Sequence, residues 1–203
     1  STWVDGKSSK AFFIDRTNFI DLGKLGDFES TDAFSYGAWI KPDTKVTGVP
    51  IGRMDDKRAF RGYDLYVTNK TVAVHLIDQW PTNAVKVNTN SKLKPNVWQH
   101  VFVTYDGSRK AAGIKIYFDG QAQPWTIEQD RLTGSIRSQT PLYVGRRSAS
   151  AQFGGAVDDV EEVLRPRLRI VLVVLRRAVG VGAKEEVADG AAGILLGGAA
   201  LDA

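Results

Sequence analysis

Apolar and polar residues alternate along two consecutive segments, 63–68 and 71–76, which flank the polar pair Asn69-Lys70. Alternation over short segments is typical of strands with one buried face, and a two-residue polar break between them predicts a β-hairpin. With Asn69-Lys70 as the turn, position 64 lies opposite position 75. The predicted apolar face, which would join a core, consists of Tyr63, Leu65, Val67, Val72, Val74 and Leu76.

The other face of this hairpin carries the candidate binding residues. Asp64, Tyr66 and His75 share it, and Trp80 follows just after the second strand. Directly opposed side chains lie about 4.5–5.5 Å apart at Cβ, so Asp64 can hydrogen-bond His75 and hold one tautomer of its ring. A sugar needs an aromatic ring for its C–H face and polar groups for its hydroxyls, and this set supplies both.

Two arginines extend the candidate site, and two other interpretations of it stay open. Arg53 and Arg61 lie close in sequence and could add fork-shaped donors. In the structural interpretation, Asp64 and His75 form a pair that supports the sheet, and the nearby tryptophan packs a loop. An Asp–His pair is also found in catalytic triads, but no motif places a Ser or Cys nucleophile beside this one.

The same pattern of short alternating segments continues over residues 1–160, without a convincing helix longer than two turns. Asp106-Gly107 and Asp119-Gly120 are turn sequences between such segments. Many short strands separated by Gly and Asp turns predict an all-β fold, an antiparallel two-sheet sandwich of the jelly-roll type with one concave face. Other predicted strands lie at 11–14, 19–22, 34–40, 83–87, 98–105, 114–118, 142–144 and 153–160.

The composition changes sharply near residue 160. All 20 aromatic residues precede Glu161, and residues 161–203 contain no Ser, Thr, Asn, Gln or His. We therefore divide the chain into a jelly roll at 1–160 and an atypical tail at 161–203. One interpretation is a loosely ordered tail with a single strand or helix at the apolar run 170–175. The other is a change of reading frame after Val160 in a gene rich in G and C. The apolar run is too short for a membrane span, which needs about 20 residues.

Composition also excludes several classes of function. A chain of 203 residues without cysteine suits one domain and excludes disulfides, cysteine-ligated zinc and thiol catalysis. The 27 basic and 23 acidic residues are interspersed, which argues against nucleic-acid binding. The chain opens with Ser-Thr-Trp-Val and no signal peptide, so we expect a module of a longer polypeptide.

Four segments together resemble a known family. They are Phe34-Ser-Tyr-Gly-Ala-Trp-Ile-Lys-Pro, Trp98-Gln-His-Val-Phe-Val-Thr-Tyr-Asp-Gly, Ile114-Lys-Ile-Tyr-Phe-Asp-Gly and Phe153-Gly-Gly-Ala-Val-Asp-Asp-Val. In this order they resemble the laminin-G-like jelly roll of the concanavalin A-like lectin/glucanase superfamily, over residues 8–160. The segments around Arg61 and His75 resemble a subgroup found in large bacterial surface or periplasmic proteins. Where the family continues with an Arg-Ile-Tyr-Asp-Arg-Ala-Leu type of strand, this chain has Glu161-Glu-Val-Leu-Arg-Pro.

The resemblance implies possible metal and catalytic sites. Family members often bind Ca²⁺ through an Asp near the final strand; Asp158 matches that position, and Asp15 or Asp21 could join it from the N-terminal side. The alternative for Asp158 is a turn cap or a pair with an arginine. Glycosidases of the superfamily carry a Glu-x-Asp-x-x-Glu cluster on one strand, which is absent here, since residues 128–130 are predicted to lie in a turn.

These observations favour a non-enzymatic module that binds a polysaccharide or glycoconjugate on one sheet face. Its predicted context is extracytoplasmic, within a larger bacterial protein whose neighbouring domains it contacts. A structural or protein-interaction module without glycan affinity is the second hypothesis, and a glycosidase is the third.

Overall fold

The computed structural model describes residues 2–7, 10–165 and 169–173. In this part of the chain the backbone forms fifteen strands and one short 3₁₀ helix at Ala111–Gly113. None of its helices is long and apolar enough to cross a lipid bilayer. The strands are β1 (Trp3–Asp5), β2 (Lys10–Asp15), β3 (Ile20–Asp21), β4 (Ala33–Pro42), β5 (Gly48–Asp55), β6 (Arg61–Thr68), β7 (Thr71–Gln79), β8 (Asn83–Thr89), β9 (Gln99–Tyr105), β10 (Ile114–Phe118), β11 (Gln121–Ala122), β12 (Trp125–Asp130), β13 (Tyr143–Val144), β14 (Gly154–Arg165) and β15 (Arg169–Val173).

The strands form two antiparallel sheets that pack face to face, which confirms the predicted all-β sandwich. The first sheet has the order β1-β2-β14-β4-β9-β10-β11, and β15 adds to β14. The second sheet has the order β12-β8-β7-β6-β5-β13-β3. Phe34 and Tyr36 from the first sheet share one apolar core with Leu65 and Val74 from the second. Alternation along each strand places the intervening residues on the outer faces.

The hairpin predicted around Asn69-Lys70 is present with the expected register. Asp64 pairs with His75, and Thr68 pairs with Thr71 at the end of the ladder. Both turn residues have positive φ, 50° for Asn69 and 71° for Lys70. This is the backbone of a type I′ turn, whose twist matches that of the two strands it joins. The predicted apolar face of the hairpin lies in the core.

Replacing Lys70 with glycine is expected to stabilise the fold by about 0.5–1 kcal/mol. Glycine adopts positive φ without the steric cost that a β-carbon imposes, and Asn-Gly is the preferred type I′ pair. Chemical denaturation of both proteins measures the difference. Thr71→Gly is the control, since it places glycine inside β7, where it should destabilise. A Lys70→Gly protein with lower stability would contradict the turn geometry.

The sequence prediction missed the short strands β1 and β11 of the first sheet, and β5 and β12 of the second. The pattern of β5 is interrupted by Pro50 and two glycines, and its register with β6 shifts between Gly48 and Ile51. The prediction of a turn at 128–130 was wrong, because these residues belong to β12. That strand lies at the edge of the second sheet, and only Trp125 and Ile127 alternate in it before its register with β8 shifts between Ile127 and Gln129.

The last strand of the sandwich extends past the proposed domain boundary at residue 160. The backbone of β14 pairs with β4 as far as Arg165. The apolar run at 170–175 begins within β15, which pairs with β14. Residues 174–203, to which most of the tail and frame-change hypotheses refer, lie outside the described residues.

Glu162 on β14 places a carboxyl group inside the sandwich. Its Oε1 lies 2.8 Å from the hydroxyl of Tyr63 on the second sheet, and that hydroxyl also lies 3.0 Å from the carbonyl oxygen of Gly26. Burial raises the pKa of Glu162 to about 7, against the opposing effects of the Tyr63 hydrogen bond and the charge of Arg53. The Tyr63 hydroxyl has one proton, so it can donate to only one of these two oxygens. When Glu162 is protonated and donates to Tyr63, the Tyr63 hydroxyl can donate to the carbonyl oxygen of Gly26.

Candidate functional site

The polar face of the hairpin is centred on a fully buried carboxylate. Asp64 has no solvent-exposed surface. Its Oδ1 lies 2.7 Å from His75 Nδ1, and its Oδ2 accepts a 2.6 Å hydrogen bond from Nε of Arg147. Each carboxylate oxygen therefore has a cationic or ring-nitrogen partner. The predicted Asp64–His75 contact is present, whereas Arg147 was not predicted.

The charges at this centre determine its protonation. Burial favours the neutral form of Asp64, but the Arg147 guanidinium and His75 outweigh burial and hold the Asp64 pKa below its usual value. Conversely, Asp64 raises the pKa of Arg147 against the effect of burial. Because an ionised carboxylate only accepts hydrogen bonds, Nδ1 of His75 must carry the shared proton. In the neutral ring Nε2 is then an acceptor.

Aromatic rings surround this centre. The guanidinium carbon of Arg147 lies 4.9 Å from the ring centroid of Tyr66 and 5.5 Å from that of Phe60. The His75 ring lies 5.9 Å from Tyr66 and 5.9 Å from Trp80. All four predicted residues of the hairpin face, Asp64, Tyr66, His75 and Trp80, are thus brought together. We call these residues with Arg147 and Phe60 the hairpin-face cluster.

A second ion pair borders the cluster at the edge of the sheet. Lys86 Nζ lies 2.7 Å from Glu128 Oε2 and 5.4 Å from the ring centroid of Trp80. Asn88 also donates to Glu128, at 3.0 Å. Burial raises the Glu128 pKa, but these hydrogen bonds exceed that effect and lower it overall. Glu128 was missed because its strand was read as a turn.

A small apolar cluster supports the rings of Phe60 and Trp80. It contains Met54, Ile77 and Ala84, which lie on the outer side of the second sheet. The Trp80 amide also donates a 2.9 Å hydrogen bond to the carbonyl of Ala59. This bond joins the β5–β6 turn to the end of β7, so both rings are held in place by the backbone beneath them.

Arg147 is positioned by the loop that follows β13. The hydroxyls of Ser148 and Ser150 and the amide of Ala149 all donate to the carboxylate of Asp56. These bonds anchor the loop over the sheet, between residues more than 90 positions apart in sequence. A loop residue held by so distant a partner follows no local periodicity, and the sequence carried no signal for it.

The two predicted arginines lie elsewhere. Arg53 was assigned to the binding face, but it pairs with the core-facing Tyr63 and donates to the carbonyls of Leu25 and Ser138, at 2.8 and 3.0 Å. Arg61 instead forms an ion pair with Asp78, at 2.5 Å. Arg53 and Arg61 occupy odd-numbered positions, as the core-facing Tyr63 does. Alternation along the strands therefore directs their side chains away from the outer face.

The predicted pair of calcium ligands is also separated. Asp15 pairs with Gly154 in the ladder, four rows from the position of Asp158, a distance of about 13 Å along the strand. Asp158 is buried and accepts hydrogen bonds from the backbone amides of Lys7 and Asp159, while Asp15 is bound to Thr17 and Asn18. Within the described residues no three acidic, histidine or cysteine side chains gather as a metal site. Asp15 and Asp158 therefore do not fit a shared Ca²⁺ ion.

A second group of exposed rings lies on the same outer face. Phe19 and Tyr143 make an edge contact with centroids 5.4 Å apart, and Phe19 is 39% exposed. The Arg146 guanidinium carbon lies 4.6 Å from the Phe19 centroid and 5.8 Å from that of Tyr143. Sequence analysis did not identify these residues, since Phe19 was assigned only to a strand.

Comparison with known proteins shows which family the sequence matches. A laminin G family model, described as the concanavalin A-like lectin/glucanases superfamily, matches residues 15–163. No curated protein sequence matches the chain significantly.

Three solved structures show the shared fold. The binding domain of Paraclostridial Mosquitocidal Protein 1 is 13% identical, with a TM-score of 0.55 over 86% of this chain and 42% of its own. Domains LG4-5 of the mouse laminin α1 chain are 16% identical, with a TM-score of 0.54 over 75% of this chain and 40% of theirs. The CBM40 of a Ruminococcus gnavus IT-sialidase, bound to α2,3-sialyllactose, is 16% identical, with a TM-score of 0.54 over 72% of this chain and 85% of its own.

The chain spans about two fifths of the length of the first two of these structures. At such identities the similarity concerns the fold, a sandwich of two antiparallel sheets. The family model, in contrast, covers well over half of the sequence. This protein therefore belongs to the concanavalin A-like lectin/glucanase superfamily.

Proposed function

We propose that this protein is a non-catalytic carbohydrate-binding module that binds a polysaccharide or glycoconjugate on the outer face of its second sheet. The observation that carries the proposal is the hairpin-face cluster, in which rings of Tyr66 and Trp80 flank the ordered polar groups of His75 and Arg147. A specific small-ligand site requires a small number of polar groups that are held in fixed positions beside aromatic surfaces. The carbohydrate complex of the R. gnavus CBM40 supports this use of the fold.

The state of Asp64 supports binding rather than hydrolysis. A retaining or inverting glycosidase requires two carboxyl groups that reach the scissile bond. Asp64 has no exposed surface, and both of its oxygens are occupied by His75 and Arg147. Two other carboxylates lie nearby: Glu128 is paired with Lys86, and Asp56 accepts hydrogen bonds from the loop that carries Arg147. The acid at the centre of the cluster thus orients its neighbours.

Part of the proposal concerns the context of the module. We propose that it belongs to a larger extracytoplasmic bacterial protein, where it contacts neighbouring domains and directs them to a glycan. Its support is the family membership, together with the binding domain of the mosquitocidal protein and the laminin LG domains among its structural neighbours.

Loss of either aromatic ring is expected to weaken glycan binding. Tyr66→Ala and Trp80→Ala should each weaken binding at least about tenfold, a loss of about 1.4 kcal/mol, because central aromatic residues dominate binding energies. A glycan array identifies the ligand, and isothermal titration calorimetry measures the affinity. Tyr117→Ala, which removes a partly exposed ring from the first sheet, is the control.

Melting temperatures of the variants separate lost contacts from lost folding, since Trp80 also packs on the apolar cluster beneath it. Binding that survives both substitutions in folded proteins would refute this site. A protein that binds no glycan on the array would instead favour the structural or protein-interaction alternative.

A further inference from the structure

Arg147 presents hydrogen-bond donors that the protein itself does not use. Its Nε is bound to Asp64, and among the described residues no acceptor forms a hydrogen bond with its two terminal nitrogens. In the same part of the chain the only fully buried polar atom without a partner is Nε of Arg53. The terminal nitrogens of Arg147 are therefore accessible to solvent, although the side chain is only 12% exposed. By the same reasoning, Nε2 of His75, which has no hydrogen-bond partner among the described residues, is accessible to solvent.

Arg146 repeats this arrangement one position earlier in the loop. Its Nε and Nη2 donate to the carbonyl oxygens of Arg147 and Ser148, at 2.7 and 2.5 Å. Nη1 is left without a protein acceptor in the described structure, and the group lies against the rings of Phe19 and Tyr143. Both arginines are thus fixed by hydrogen bonds at one end, lie against rings and keep free donors at the other.

The ladder of the second sheet places these two groups along one line. Tyr143 pairs with Gly52, Gly52 with Asp64, Asp64 with His75, and His75 with Lys86. Neighbouring strands are about 4.8 Å apart, so this row crosses about 19 Å of the sheet. Gly52 brings no side chain of its own to the row, and the space above it is occupied by Val49, whose Cγ1 lies 2.9 Å from where a β-carbon of Gly52 would stand. The row is long enough for several sugar units laid across the strands.

Arg146 and Arg147 are the cations along this row that can bind an anionic ligand, while Asp21 beside Tyr143 and Asp56 beneath the loop are further carboxylates close to it. Asp64 and Glu128 are neutralised by Arg147 and Lys86 at 2.6 and 2.7 Å. Arg146 forms no ion pair with an acidic side chain of the described residues, its hydrogen bonds going to carbonyl oxygens. A guanidinium fork matches the two oxygens of a carboxylate, and prior ordering lowers the entropic cost of binding.

We infer that the ligand is an acidic oligosaccharide that lies across the strands, with uronate-type carboxylates bound by the free guanidinium edges of Arg147 and Arg146. This inference rests on the proposed glycan-binding function and specifies its ligand class. Tyr66, Trp80, Phe19 and Tyr143 contact the sugar rings, and His75 Nε2 accepts a hydrogen bond from a hydroxyl.

The test compares acidic polysaccharides with their own neutral forms. Polygalacturonate, alginate and heparosan are titrated by calorimetry into the wild-type protein, each beside a carboxyl-reduced preparation of the same polymer. At least one acidic polymer should bind at least tenfold more tightly than its reduced form, and added salt should weaken that binding. Arg147→Lys retains the charge beside Asp64 but loses the fork, so it should weaken acidic binding at least tenfold.

Two further variants test the geometry. Arg146→Gln should weaken binding of long acidic oligomers more than that of a disaccharide, because its group lies at the far end of the row. Lys115→Gln removes an exposed cation from the first sheet and should change nothing. Equal affinity for acidic and reduced polymers, or acidic binding unaffected in Arg147→Lys, would overturn the inference while the glycan-binding function stood. Absence of binding to any glycan would reject both.

Discussion

Replacing Asp64 with alanine is expected to destabilise the protein by about 3–5 kcal/mol, the cost of breaking a buried ion pair by removing one partner. The substitution leaves Arg147 and His75, whose side chains are 12% and 6% exposed, without the carboxylate that both contact. It also removes atoms from a site with no solvent access. Denaturant titration near pH 7 measures the loss. We expect glycan binding to fall as well, since the released arginine no longer has a fixed orientation.

A surface ion pair provides the matched control. Asp5 and Lys10 form a pair whose side chains are 92% and 54% exposed. Exposed pairs contribute little to stability, so Asp5→Ala should leave the denaturation midpoint unchanged. Asp64→Asn separates charge from shape, because it retains one acceptor oxygen at almost the same volume. If Asp64→Ala were as harmless as Asp5→Ala, the role of Asp64 as the centre of the cluster would be wrong.

Replacing Glu162 with glutamine is expected to stabilise the protein above pH 7. The pKa of this carboxyl is raised from 4.5 to about 7 in the fold, so the native state holds the proton more tightly than the unfolded chain. Stability therefore falls as the pH rises from about 4.5 to 7, by about 3 kcal/mol in total. Glutamine cannot ionise, and its amide can donate to Tyr63 as the protonated acid does. The gain should approach 3 kcal/mol at pH 8 and vanish near pH 4.5.

Denaturant titrations of both proteins from pH 4.5 to 8 measure this effect, and the informative quantity is the difference between the two curves. Glu161→Gln is the control, because Glu161 pairs with Gly37 on the outer side of the same strand and is partly exposed. Burial also raises the pKa of Glu161, so its substitution should alter the pH dependence in the same direction but less, because the Glu161 side chain is not fully buried. A Glu162→Gln protein whose stability shows the same pH dependence as the wild type would mean that Glu162 is not protonated in the fold.

The local pattern of the sequence determined the sandwich and the hairpin at its centre. Alternation around Asn69-Lys70 defines both the register and the faces, since a slip of one residue would move Leu65 and Val74 to the solvent. The same parity brings Asp64 opposite His75. The outer-face group of Asp64, Tyr66, His75 and Trp80 could thus be predicted without any tertiary information.

The side of the sheet on which each residue lies, and its position along the ladder, explain where the prediction failed. Arg53 and Arg61 were chosen for their closeness in sequence, although their odd-numbered phase is that of the core-facing Tyr63. Asp15 and Asp158 were paired through family resemblance, and the ladder separates them. A consistent count along β6 would have removed Arg61 from the binding face, whereas Arg53 lies on β5, a strand that the sequence pattern did not indicate.

Tertiary structure alone decided the rest of the site. Arg147 reaches Asp64 across 83 positions of sequence, and its loop is held by Asp56 across more than 90. Glu128 lies on an edge strand in which the apolar alternation is limited to Trp125 and Ile127. Periodicity records which side of a strand is buried, because burial acts on each side chain locally. Periodicity does not indicate which loop packs over a sheet, because that contact depends on where distant segments meet once the two sheets have packed.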